Sequence, residues 1–104
     1  MRPLITPAHG ALLRAVRKLA GASCIIEGLS SDPWASATFS GERHRLELRL
    51  EGADALAAGD QLVRELREAE FHVPGHIVAD VALSARSFRD GAVQLVFDIL
   101  TVVD

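Results

Sequence analysis

The closing stretch GAVQLVFDILTVVD, residues 91–104, limits the possible folds more than any other part of the chain. Successive side chains of a strand point to opposite faces. Here one phase holds Val93, Leu95, Phe97, Ile99 and Val103, while the other holds Val96, Leu100 and Val102. A sheet that takes in this segment therefore has apolar side chains on both sides. A helical reading also exists, because Gln94, Asp98, Thr101 and Asp104 recur at helical spacing. The strand reading is preferred, since Val93, Val96, Ile99, Thr101, Val102 and Val103 are β-branched and a glycine-containing turn directly precedes them.

The partner strands follow from the same period. In HRLELRLEG, Leu46, Leu48 and Leu50 alternate with Arg45, Glu47, Arg49 and Glu51, the pattern of a strand with one buried face. Upstream, SCIIEGLSS reads as a first strand and WASATF as a second. A two-residue loop at Gly41 and Glu42 would set Ala37 opposite Leu46 and Ala35 opposite Leu48. That register places Thr38 beside Arg45 and Trp34 beside Arg49 on the other face. Downstream, Pro74-Gly75 suits a type II turn, and the run from Ile77 to Arg86 alternates as a strand. A three-residue loop, Arg89-Asp90-Gly91, pairs Leu83 with Phe97 and Val81 with Ile99. A two-residue Asp90-Gly91 loop would set Leu83 against Asp98 instead.

Two helices complete the pattern. TPAHGALLRAVRKLAG offers Thr6 as N-cap, Pro7 at the first helical position and Gly21 as C-terminal cap. Its apolar face is Leu12, Leu13, Val16, Leu19 and Ala20, opposed by Arg14, Arg17 and Lys18. ADALAAGDQLVRELREAE directs Leu56, Leu62, Val63, Leu66 and Ala69 inward, with Asp54 as cap. Asp60 and Arg64, and Arg64 and Glu68, fall at the spacing of ion pairs along its outer side. Gly59 costs about 1 kcal/mol of helix propensity relative to alanine, so it is expected where this helix approaches the sheet closely. The order α-β-β-β-α-β-β predicts a single α+β domain over residues 1–104. Two helices would pack on one face of a mostly antiparallel, five-stranded sheet. The alternative is a ferredoxin-like arrangement with RPLIT as an added edge strand. No internal repeat is apparent along the chain.

Composition narrows the function classes. The 104 residues carry 11 basic and 14 acidic side chains, a net charge of −3, so no bulk positive field draws the chain to nucleic acid. Double-stranded RNA-binding domains share the order helix, three strands, helix. They hold phosphates with basic residues at the start of the second helix, which here begins ADALAAGDQ and carries no lysine. Cys24 is the single cysteine, which excludes an intrachain disulfide and makes a cytoplasmic location the expectation. No run approaches the ~20 apolar residues of a membrane span. Arg14, Arg17 and Lys18 interrupt any signal-peptide core.

Helices can roof only one face of such a sheet. The other face is expected to present Val78, Val96, Leu100 and Val102, and a large exposed apolar patch marks an interaction surface. The expectation is a non-catalytic assembly domain that forms a homodimer through its sheet. The alternative is a small-molecule-binding protein or minor enzyme. Its pocket would use Trp34, Arg45 and Arg49 as an aromatic and guanidinium platform, with His72 and His76 on the nearby turn. Those two histidines are too few for a zinc site, and no cofactor-binding or nucleophile motif occurs. Cys24 is expected in the core, and His9 and His44 at ordinary surface positions.

Overall fold

Six elements follow one another along the chain: α1 (Pro7–Ala20), β1 (Cys24–Ala35), β2 (Ser40–Glu51), α2 (Ala55–Glu68), β3 (His76–Arg89) and β4 (Ala92–Val103). The structure is a computed structural model that describes residues 7–21 and 24–104. The Thr6 cap and the RPLIT edge strand fall outside the described residues. The strands form one antiparallel sheet in the order β1-β2-β4-β3. The fold is α+β with two helices, but the sheet has four strands rather than five. The two upstream strands are one, because CIIEGLSS runs on through Pro33 to Ala35. The turn then falls at Ser36–Phe39, where the Ser36 amide donates to the Phe39 carbonyl (2.7 Å) and the Phe39 amide donates back to Ser36 Oγ (3.1 Å). A serine that closes its own turn competes well with strand pairing.

Each half of the chain is a helix, an outer strand and an inner strand, and the two inner strands β2 and β4 pair antiparallel at the centre. The topology is thus an αββ unit used twice about a pseudo-two-fold between β2 and β4, a repeat that no residue pattern reveals.

One face of the inner strands is the core. Leu46, Leu48 and Leu50 of β2 and Val93, Leu95, Phe97 and Ile99 of β4 pack against Leu12 and Val16 of α1 and Leu62, Val63 and Leu66 of α2. Burying each such side chain is worth roughly 1.5–3 kcal/mol. Gly59 lies where expected: a Cβ there would come within 3.2 Å of Val93 Cγ1, so α2 sits down on β4 at this point. Leu56, expected inward, is exposed, and Ala55 takes the buried position at the helix start. Asp54 occupies the N-cap without a side-chain hydrogen bond.

The second hairpin reaches its expected register by a different route. Arg89 pairs with Ala92, and Asp90 and Gly91 form a two-residue turn with φ of 55° and 74°, the left-handed pair of a type I′ turn. Leu83 still faces Phe97 and Val81 faces Ile99, because a bulge between Leu83 and Ala85 takes up one residue. Ser84 Oγ donates to the Val96 carbonyl across this bulge (3.3 Å). A second irregularity lies between Val78 and Asp80. Each inserted residue reverses the phase of the strand beyond it. Val78 therefore turns to the helix side opposite Thr101 and packs on the core, which removes it from the expected dimer surface. Arg86 also turns to the helix side and binds Asp60 of α2, in place of the Asp60–Arg64 pair.

At Gly41 the backbone of β4 comes very close. A Cβ there would overlap the Thr101 carbonyl oxygen and lie 2.8 Å from its carbon and 2.9 Å from Val102 Cα. Because these are backbone atoms of a central strand, no rotamer change relieves them. Gly41→Ala is expected to cost about 3 kcal/mol or more, read as a lower urea midpoint. An unchanged midpoint contradicts this packing.

Candidate functional site

The residues expected to form a pocket are divided among four places. Trp34 pairs with Gly41, and its indole Nε1 donates to the Thr101 carbonyl (3.3 Å). Arg49 pairs with Ile25 at the far end of the sheet and meets Glu51 (3.3 Å) and Glu27 (3.9 Å). Arg45 lies between them, paired with Glu47 (3.2 Å). The Trp34–Arg49 platform is therefore not formed, because the turn at Ser36–Phe39 shifts the register that the Gly41–Glu42 loop implied. The Pro74-Gly75 turn forms, with Gly75 at φ 76°. It sends its flanking histidines to different surfaces. His72 lines a cleft with Ala11, Ala15 and Phe71 beside α1. His76 joins Trp34, Glu42 and Gly41 in a shallow groove of about 490 Å³ at the β1–β2 turn end of the sheet.

Behind that groove lies a constellation built on His9 and His44, the two histidines expected at ordinary surface positions. Four contacts link four elements: His9 Nδ1 to Ser31 Oγ (2.8 Å), Ser31 Oγ to His44 Nδ1 (2.6 Å), His44 Nε2 to Thr101 Oγ1 (2.9 Å), and Thr101 Oγ1 to the Glu42 carbonyl (3.3 Å). His76 adds the fifth element, with Nε2 3.7 Å from Glu42 Oε2. Ser31, Glu42, His44 and Thr101 are all less than 8% exposed, and His44 is 1% exposed. Polar groups this deep cost free energy unless each finds a partner, and here every contact is used.

The signal for this array is the same alternation that defines the core. His44 and Glu42 are in phase with Leu46, Leu48 and Leu50, Thr101 is in phase with Phe97 and Ile99, and His9 precedes Leu12 and Val16 by three and seven residues. His44 looks like a hairpin end only if the turn is placed at Gly41 and Glu42.

The hydrogens follow from the partners. The Glu42 carbonyl can only accept, so Thr101 donates its hydroxyl hydrogen there and accepts from His44 Nε2–H. Burial lowers the His44 pKa below the ordinary imidazole value, opposed by the charge of Glu42 and assisted by His9 and His76. A neutral His44 with its proton on Nε2 has a bare Nδ1, which accepts from the Ser31 hydroxyl. Ser31 Oγ then accepts from His9 Nδ1–H. This is the assignment in which all four contacts are hydrogen bonds with His44 neutral.

Cys24 is half-buried against the core, and burial pushes its thiol up, away from nucleophilic reactivity. Among the described residues no group of three or more His, Cys, Asp or Glu side chains has the arrangement to hold a metal ion, and no helix is long and apolar enough to cross a membrane. No family model, curated protein or solved structure matches the chain.

An imidazole whose folded pKa is depressed favours the folded state while it is neutral. Stability from His44 is therefore complete above the ordinary imidazole value of about 6.5 and is lost as the pH falls through its lower folded value. Urea midpoints measured downward from neutral pH should decline for the natural chain and decline less for His44→Gln. His44→Ala, which leaves a cavity and orphans Ser31 and Thr101, should cost about 3–4 kcal/mol at neutral pH. Equal pH slopes for the natural chain and His44→Gln contradict the assignment.

Proposed function

We propose that this chain is a non-catalytic assembly domain that self-associates through the helix-free face of its sheet. The observation that carries the reading is a half-buried apolar strip on a central strand, on the face that no described helix covers. Val96, Leu100 and Val102 of β4 point away from both helices, and none of them joins either apolar cluster of the core. Ile77, paired with Val102, extends the strip and is 54% exposed.

Size and edges favour a second copy stacked face to face. Four strands of 12–14 residues present a face about 40 Å by about 19 Å, close to the ~800 Å² that each partner contributes to a standard interface. Both edge strands are poor templates for strand addition. β1 carries a bulge between Ile26 and Gly28 and Pro33 further along, and β3 carries two irregularities. Such devices block edge pairing and leave the face. Arg43, Arg45, Glu47, Asp80 and Asp98 share the face with the strip and supply the polar part of a mixed interface. Relative to the expected surface, Val96, Leu100 and Val102 remain and Val78 is replaced by Ile77.

Light scattering coupled to size exclusion tests this directly. The natural chain should elute at twice the mass of one chain at micromolar concentration, and Leu100→Arg should elute as a folded monomer. A monomeric natural chain, or an undisturbed dimer in Leu100→Arg, overturns the proposal.

A second reading is favoured by one observation: Trp34 and His76, two of the residues expected at a ligand pocket, do share a groove, with Glu42 at its floor. In this reading the groove holds a small planar molecule against the indole. Trp34 is the chain's single tryptophan, so its emission reports occupancy. A ligand at roughly a hundredfold excess over its Kd should also add ~2.7 kcal/mol of stability. A metabolite panel that moves neither emission nor Tm contradicts this reading and leaves the assembly proposal untouched.

A further inference from the structure

The buried array is more than a set of satisfied polar groups, because its hydrogens can be counted. Two gaps flank Ser31 Oγ, one to His9 Nδ1 at 2.8 Å and one to His44 Nδ1 at 2.6 Å. Each gap takes one hydrogen and Ser31 owns one, so one of the two Nδ1 atoms must supply the other. His44 Nε2 stays protonated in every case, because Thr101 has committed its own hydrogen to the Glu42 carbonyl.

We propose that His9, Ser31 and His44 form a proton-binding relay that holds one extra proton and passes it between α1 and the sheet. When the array is charged on His9, His9 Nδ1–H donates to Ser31, Ser31 donates to His44, and His44 is neutral. In the transfer, the Nδ1 proton of His9 bonds to Ser31 Oγ as the Ser31 hydroxyl hydrogen bonds to His44 Nδ1. Ser31 ends as a hydroxyl pointing back at His9, His9 is neutral, and His44 carries the charge. All four contacts survive in both states, so neither breaks the packing.

A second proton has no such place. With both rings charged, two N–H groups face Ser31 Oγ, its own hydrogen loses its acceptor inside a site only 5% exposed, and two like charges face each other across one oxygen atom. The groups facing His44 from the packed elements are His9 of α1, Ser31 of β1, Glu42 of its own strand, His76 of β3 and Thr101 of β4. Burial disfavours a charge on His44, Glu42 favours it, and His9 and His76 oppose it.

The test is an NMR titration of the imidazole nitrogens in the full chain, from neutral pH downward for as long as the Trp34 signal shows the fold intact. In the natural chain the His9 and His44 resonances should move over one shared step, with fractional charges that sum to one proton. Ser31→Ala removes the relay atom, so His9 should then charge alone while His44 stays neutral over that step. Should Ser31→Ala fail to fold, the sum in the natural chain decides by itself. Charges that sum to two in the folded chain, charging of neither ring, or a shared step that persists in Ser31→Ala would overturn the proposal.

Discussion

The antiparallel pairing of β2 with β4 is the constraint on which the rest of the structure depends. It runs without a register break from Gly41↔Val102 to Glu51↔Ala92, and it places Leu46 beside Phe97 and Leu48 beside Leu95 on one face. Because side chains alternate strictly along both strands, this choice of inward phase is made once for the whole length. It sends four leucine and aromatic partners under the helices. It also sends His44, Glu42 and Thr101 inward with them, and Val96, Leu100 and Val102 outward to a face that no described helix reaches. The buried polar array and the half-buried apolar strip outside the core are thus two results of one phase choice.

Both departures from an ideal sandwich are resolved in physical terms. The inward polar groups are made tolerable by pairing with one another, and the contacts tie α1 to β1, β1 to β2 and β2 to β4. Networks of this kind favour one arrangement of elements over its competitors, since a slip leaves several donors without acceptors. The outward apolar groups have no such remedy among the described residues, which is the physical reason to look for a second copy. The bulges at the two edge strands act in the same direction by directing association away from the edges.

Much of this architecture is legible in the sequence, and the misses have identifiable causes. The helices announce themselves through Leu12, Val16, Leu62 and Leu66, and β-branched residues correctly mark 92–103 as strand. Gly59 is read correctly because a helix-weakening residue amid good formers implies close contact. The strand count fails at Ser36–Phe39, where a serine side chain builds a turn inside a run that looks extended, while Gly41 is reserved for backbone contact rather than for a bend. Val78 fails because bulges are invisible to period-two counting and reverse the faces of the residues beyond them. The histidine array was readable from phase, given the correct turn, but its composition from five separate elements is a property of the fold alone.

The central claim is that β4 hides one phase of its side chains within the monomer and the other phase only in an assembly. Methyl NMR with a soluble paramagnetic agent, recorded over a dilution series, measures both phases at once. The account predicts that Val93, Leu95 and Ile99 stay protected at every concentration, while Val96, Leu100 and Val102 become accessible to the agent as the chain is diluted. Protection of Val96, Leu100 and Val102 that persists at the lowest concentration, or exposure that never changes, would contradict it.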